Sequence, residues 1–140
     1  MSQTSSTRRD FLKHSAVAAG TLAALQTSAV RGAYAAADNT IKIALIGCGG
    51  RGTGAVADCF NAAKILQQPI KLVAVADAFQ DRAVSSLGYI KKDWAANVDV
   101  PDDRIFVGLD GYQKALDCGI DMVLMAAPPG VRPQHYAEAV

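Results

Sequence analysis

The chain has 140 residues, of which 51% are apolar and 19% are charged, and its formal net charge is +1. This length is enough for one ordinary domain, and the balance of apolar and charged residues excludes an intrinsically disordered or fibrous protein. The near-zero charge gives no electrostatic basis for binding nucleic acid, and the main body has no run of about 20 apolar residues that could span a membrane.

The first 35 residues predict an export signal. Arg8 and Arg9 are followed by Asp-Phe-Leu-Lys, an uncharged run covers residues 15–30, and Ala-Tyr-Ala at 33–35 has the pattern of a cleavage site. The paired arginines resemble the bacterial twin-arginine signal. This resemblance implies a signal peptide at 1–35, the twin-arginine export machinery as a partner, and a periplasmic or otherwise exported protein with a firmly bound cofactor. A disordered tail or an ordinary amphipathic helix is the alternative interpretation.

Cysteine spacing predicts neither a disulfide framework nor a metal site. Cys48, Cys59 and Cys118 are odd in number and far apart in the sequence. They form no C-x-x-C pair and no Cys/His spacing typical of zinc ligands. We therefore expect three free, largely buried thiols and no bound metal.

Beyond residue 40, predicted strands and helices alternate along the chain. Short apolar runs predict strands at 41–46, 70–76, 104–107 and 121–126. Helical spacing of apolar residues predicts helices at 52–67, 79–94, 111–118 and 134–140. Pro69 is expected to stop the first helix, Asp110 and Gln113 to form a capping box on the third, and Gly119 to end it.

This alternation predicts an α/β fold with a doubly wound parallel sheet. Right-handed crossovers place the four strands in the order 3-2-1-4, with helices on both faces. The last predicted helix has no stop signal, and the six-strand version of this fold needs more chain. Residues 36–140 are therefore expected to be an incomplete nucleotide-binding domain from a longer two-domain protein.

The turn after the first predicted strand carries the strongest motif. Six consecutive residues match the pattern G-x-G-x-x-G: Gly47, Cys48, Gly49, Gly50, Arg51 and Gly52. In a dinucleotide site the first glycine permits a tight turn, the second lets the backbone approach a pyrophosphate, and the third lets the helix pack on the sheet. Arg51 either adds a charged donor or points into solvent. A purely structural strand-to-helix turn is the alternative.

An acidic residue, Asp77, ends the second predicted strand, 30 positions after Gly47. A carboxylate there accepts hydrogen bonds from ribose hydroxyls and repels a 2′-phosphate. The next residue is Ala78, and no basic residue follows before Arg82. The sequence therefore favours NAD over NADP. Asp77 is also a candidate N-cap for the following helix, and the two roles are compatible.

The end of the fourth predicted strand supplies the other half of the candidate site. Small residues and prolines follow that strand: Ala126, Ala127, Pro128 and Pro129. At the switch point of an open parallel sheet they could form a rigid floor beneath a nicotinamide, or they could simply break the strand. His135 on the next helix either approaches the cofactor or substrate or is an internally satisfied histidine.

Together these segments resemble the Gfo/Idh/MocA oxidoreductases, which have a Rossmann-like nucleotide-binding domain. The resemblance covers residues 41–140 and lies in the glycine loop, the strand that ends at Asp77, and the Ala-Pro-Pro segment with its later histidine. It implies an NAD(P)-dependent enzyme that oxidises CH–OH groups of a sugar, polyol or cyclitol. It also implies a second domain that binds the carbohydrate and builds a homo-oligomer.

The family's catalytic lysine, in a Glu-Lys-Pro motif, has no counterpart before Val140, so we expect no catalytic residue within this chain and no turnover by it alone. Two other functions stay open. One is an NAD-dependent glycoside-cleaving enzyme of the same family, and the other is a non-catalytic dinucleotide-binding module.

Overall fold

A computed structural model describes residues 39–140, and residues Thr40–Val140 form one compact unit within it. The predicted signal peptide at 1–35 lies outside the described residues. No helix among residues 39–140 is both long enough and apolar enough to cross a membrane.

Four strands form one parallel sheet in the order β3-β2-β1-β4, which confirms the predicted fold class and strand order. The strands are β1 (Ile41–Ile46), β2 (Ile70–Asp77), β3 (Ile105–Val107) and β4 (Met122–Met125). The two central strands, β1 and β2, are nearly continuous apolar runs because both of their faces are covered.

Helices connect the strands and cover both faces of the sheet. They are α1 (Gly50–Leu66), α2 (Gln80–Trp94), α3 (Gly111–Leu116) and α4 (Arg132–Ala139). On one face, Ile43 and Leu45 of β1 pack with apolar residues of α1 and α2. On the other face, Ala44 and Ile46 pack with residues of α3. Alternate side chains of β1 therefore pack into two separate cores, one on each face of the sheet.

A bulge in β2 adjusts this alternation. Ile43 pairs with Leu72 while Ala44 pairs with Ala74, so Val73 is the extra residue. Leu72 and Val75 consequently contribute to the same core although they are three positions apart. An extra residue in one strand shifts the facing of the side chains that follow it.

Several helix ends differ from the prediction. The first helix ends at Leu66 because Gln67 adopts a left-handed conformation with φ of 53°, so the chain turns before Pro69. The expected capping box on α3 is wrong: Asp110 makes no side-chain cap, and the Gln113 amide donates to Glu138 instead. A contact across the fold has replaced the local one. Helix α3 ends at Leu116, with Asp117 as its C-cap, so the expectation that Gly119 ends this helix is wrong. Gly119, left-handed with φ of +66°, lies three residues beyond the helix, in the turn that leads to β4.

Candidate functional site

A cleft of about 740 Å³ lies at the carboxyl edge of the sheet. Because all four strands run in parallel, the loops after β1, β2 and β4 meet there. Most of the predicted site residues line it: Gly47, Gly49, Arg51, Asp77, Ala126, Ala127, Pro128, Pro129 and His135. Cys48 and Gly50 instead line a second cavity between α1 and α2, and Gly52 is buried in the turn.

Gly47 makes the turn out of β1 in a conformation that favours glycine, with φ of +95°. A Cβ on this residue would lie 2.6 Å from the Ala127 nitrogen and 2.7 Å from the Ala126 carbonyl carbon. The loop therefore packs tightly against the end of β4. The main-chain amide of Gly47 donates to the Ala76 oxygen at 2.8 Å, and this bond also ties the loop to β2. The tight turn expected at Gly47 is present, and it joins the ends of β1, β2 and β4.

Gly49 and Gly52 are glycines for opposite reasons. A Cβ on Gly52 would lie 1.9 Å from the Gly47 oxygen, so the first turn of α1 packs directly on its own loop. A Cβ on Gly49 would meet nothing within 4 Å, and its φ of −72° suits any residue. The protein itself therefore gives no reason for a glycine at position 49, whereas a ligand close to the backbone would.

The start of α1 offers main-chain donors to the cleft. The first N–H groups of a helix have no intrahelical partner and carry partial positive charge. The amide of Thr53 is the first in this segment to bond back, to the Gly49 oxygen at 2.9 Å. Arg51 is exposed and also lines the cleft. The resulting local field favours an anion.

Asp77 is held in place by two main-chain donors. Its Oδ2 accepts from the Cys48 amide at 2.6 Å, and its Oδ1 accepts from the Phe79 amide at 2.9 Å. The N-cap position of α2 belongs to Phe79, so the N-cap role considered for Asp77 is wrong and a two-residue Asx turn replaces it. Each carboxylate oxygen keeps further lone-pair capacity for hydroxyl donors in the cleft.

The Ala-Pro-Pro segment forms one wall of the cleft. The Ala126 amide donates to the Ile46 oxygen at 2.8 Å, extending the β1–β4 pairing by one residue. The Ala127 oxygen accepts from Nε and Nη2 of Arg132, at 3.2 and 2.9 Å. Arg132 therefore fixes the turn that contains Pro128 and Pro129.

His135 is buried against Tyr112, with ring centroids 4.1 Å apart and planes 28° apart. Its Nδ1 is buried and has no hydrogen-bond partner among the described residues, so this is not an internally satisfied histidine. Burial lowers the pKa of His135, and the nearby Glu138 carboxylate only partly opposes this. The imidazole is consequently neutral at pH 7.

A polar cluster joins α3 to α4 behind His135. The Tyr112 hydroxyl donates to Glu138 Oε1 at 2.6 Å and accepts from Gln134 Nε2 at 3.1 Å. The side-chain amide of Gln113, through Nε2, donates to Glu138 Oε2 at 2.8 Å. The hydrogen bond between Tyr112 and Glu138 raises the pKa of the phenol and lowers the pKa of the carboxyl.

The cysteines are free, but only Cys48 is buried; Cys59 and Cys118 are half-buried. The expectation of largely buried thiols is therefore correct for Cys48 alone. Burial, with a smaller effect of the Asp77 carboxylate, raises the pKa of Cys48 to about 12, so this thiol is not a nucleophile at neutral pH. The part of the chain that is described contains no cluster of side chains suited to a metal ion.

Sequence reasoning missed several residues that line the cleft: Phe79, Tyr112, Arg132 and Gln134. Arg82, noted only as the first base after Asp77, lines it as well. The one available signal was the aromatic residue two positions after Asp77, since Phe79 is a large apolar residue that no predicted core required. The others depend on contacts between α3 and α4.

No protein-family model matches the chain, and no curated protein is significantly similar to it. The resemblance to Gfo/Idh/MocA oxidoreductases therefore rests on the quoted residues alone and stays a prediction.

Proposed function

We propose that residues 36–140 bind an adenine dinucleotide, NAD in preference to NADP, as the nucleotide-binding part of an oxidoreductase that acts on a sugar, polyol or cyclitol. One observation carries the binding proposal. The unobstructed backbone at Gly49, the N-terminus of α1 and the fixed carboxylate of Asp77 all face one cleft.

The diphosphate would lie against the turn at Gly49. Its charge would be met by the unpaired amides at the start of α1 and by the partial positive charge of that helix end. Arg51 lies on the same side and would add a charged donor. The empty space around the Gly49 Cα supports this fit, because a side chain there would separate the phosphate from the main chain.

The adenosine ribose would lie beside Asp77. Both carboxylate oxygens are oriented by main-chain amides, so the side chain loses little conformational entropy on accepting ribose hydroxyls. A 2′-phosphate would meet the charge of the same carboxylate at close range. This arrangement supports NAD as the preferred form.

The nicotinamide end would lie along the Ala126–Pro129 wall, with His135 beneath it. NAD supplies the hydride acceptor when bound, and the protein supplies orientation and an apolar surface that excludes water. The rigid Pro-Pro turn, held by Arg132, suits a flat ring. We assign no catalytic residue to this chain, because the residues gathered in the cleft belong to the cofactor side.

Gly49→Val tests the binding proposal by isothermal titration of the full chain with NAD and NADP. Valine fits the protein at this position but would displace the diphosphate. Losing two charge-assisted hydrogen bonds of about 1.5 kcal/mol each corresponds to roughly a hundredfold weaker NAD binding. The matched control is Gly54→Val, on the helix that Gly49 precedes. A Cβ at Gly54 also meets nothing within 4 Å, and Gly54 does not line the cleft.

Circular dichroism should report the same folded content in both variants. The proposal is overturned if the unmodified chain binds neither nucleotide, or if Gly49→Val binds NAD as tightly as the Gly54→Val control. A lower Kd for NADP than for NAD in the unmodified chain would overturn the cofactor preference alone.

A further inference from the structure

We propose that Arg82, stacked on Phe79, is a second determinant of nucleotide choice that opposes Asp77 and would hold a 2′-phosphate once that carboxylate is removed. This inference rests on the proposed dinucleotide function and concerns the adenosine end of the same cleft.

Phe79 is exposed over 57% of its surface, although it is a large apolar side chain. Its main-chain amide donates to Asp77 Oδ1 at 2.9 Å, so the backbone of Phe79 is tied to that carboxylate. Phe79 also lines the cleft. An exposed aromatic side chain two positions after the carboxylate proposed to bind ribose is suited to an adenine base.

Arg82 lies on the first turn of α2, and its guanidinium carbon is 5.1 Å from the centroid of the Phe79 ring. Among residues 39–140 the guanidinium makes no ion pair with any carboxylate, because Lys71 and Asp99 form the only such pair there. Asp81, its neighbour, lines the second cavity and not this cleft. The donors of Arg82 are therefore available to a ligand.

Opposite charges thus contact Phe79 from two directions. Asp77 binds its amide, and Arg82 covers its ring. Asp77 favours the diol of NAD and repels a phosphate, whereas a planar guanidinium matches phosphate oxygens in a bidentate geometry. The preference for NAD is then the difference between two opposing effects, and removing one of them should reverse it.

The test is a double-mutant cycle on the full chain, using Asp77→Ser, Arg82→Gln and both together, with dissociation constants for NAD and NADP measured at one ionic strength. Serine keeps a short acceptor for the Phe79 amide. We expect Asp77→Ser to raise the ratio of NADP to NAD affinity by about tenfold or more, and we expect Arg82→Gln to abolish that gain.

Lys92→Gln is the matched control. Lys92 lies on the same helix and stacks on Tyr89 at 4.9 Å, but neither residue lines the cleft. We expect this variant to leave the NADP:NAD ratio unchanged. If Asp77→Ser fails to fold, Arg82→Gln alone still decides the matter, because it should weaken NADP binding more than NAD binding.

The inference is wrong if NAD binds but Asp77→Ser gives the same NADP:NAD ratio with and without Arg82, or if Arg82→Gln acts no differently from Lys92→Gln. Dissociation constants for adenosine 2′,5′-bisphosphate and 5′-AMP give the same comparison, with and without the 2′-phosphate, in ligands that lack the nicotinamide half. If the unmodified chain binds no dinucleotide, the proposed function itself fails and this inference fails with it.

Discussion

At the scale of single residues, the glycine loop contains positions that the fold requires and positions that it does not. Gly47 is required by its backbone conformation and by its contact with the end of β4. Gly52 is required because its Cα lies against the Gly47 carbonyl. Gly49 has no such requirement. The same motif therefore contains two glycines that the fold needs and two, Gly49 and Gly50, whose Cβ would meet nothing within 4 Å.

Gly52→Ala should destabilise the protein by about 1–3 kcal/mol or more. The new Cβ would lie 1.9 Å from the Gly47 carbonyl oxygen, which is part of the backbone and cannot avoid the clash by a side-chain rotation. Urea unfolding followed by circular dichroism measures this change. Gly54→Ala, two residues on in the same helix and with open space around it, should stabilise by about 0.5–1 kcal/mol. Equal stabilities for the two variants would contradict this account.

At the scale of elements, α4 is attached to α3 as well as to the end of β4. His135 stacks on Tyr112, and Glu138 accepts hydrogen bonds from Tyr112 and Gln113. In this arrangement the imidazole of His135 is buried and neutral. Because burial lowers the pKa of His135 in the docked helix, protonation favours states in which α4 has opened.

Hydrogen exchange of α4 should therefore depend on pH. The folded pKa of His135 is lowered, so its contribution to docking is complete above the ordinary value of 6.5 and is lost as the pH falls below it. Protection factors of α4 amides should fall between pH 7 and pH 5, and the pKa of 6.5 in the open state limits the fall due to His135 to roughly 25-fold.

His135→Gln should remove most of that pH dependence, although it also weakens the stacking on Tyr112. Tyr136→Phe, a change at the next residue, which is 63% exposed, should keep it. The glutamate opposite the histidine, Glu138, has a lowered pKa and stays ionised across this range, so it does not produce the effect. Identical pH profiles for His135→Gln and Tyr136→Phe would refute the assignment.

At the scale of the whole molecule, two apolar cores separated by the sheet hold the fold together. The larger one contains fully buried side chains from both central strands and from the two long helices, including Leu45, Val56 and Phe60. The smaller one, under α3, is built largely from alanines of β1 and β2, and this lets α3 pack close to the sheet. Stability should therefore depend most on the larger core.

Leu45→Ala should lower the free energy of unfolding by about 2–5 kcal/mol, since Leu45 is fully buried at the centre of the larger core. Ile65→Ala removes an aliphatic side chain that is 81% exposed and should change it by no more than about 0.5 kcal/mol. Urea midpoints and slopes of both variants measure the difference. A small effect at Leu45 would mean that the larger core is not the main source of stability.

Local physics explains how much of this arrangement could be predicted. The first two strands were evident because apolar runs such as Ile41–Ile46 are bounded by glycine or proline, and the strand order follows from the handedness of parallel crossovers. Helix ends were less certain. Gln67 turns the chain before Pro69 through local bonds to the carbonyl groups at the end of α1. Gln113 leaves its expected cap for Glu138, which lies 25 positions further along the chain.

The amino-acid sequence by itself determined the fold class, the glycine turn and the acidic residue at the end of β2, since each follows from periodicity or from a short motif with a backbone requirement. Only the tertiary structure decided that Asp77 is held by the glycine loop, that Arg82 and Phe79 share its cleft, and that His135 lies on Tyr112 with an unpaired nitrogen. These relations join residues up to 29 positions apart, and no local pattern encodes the distances between their side chains.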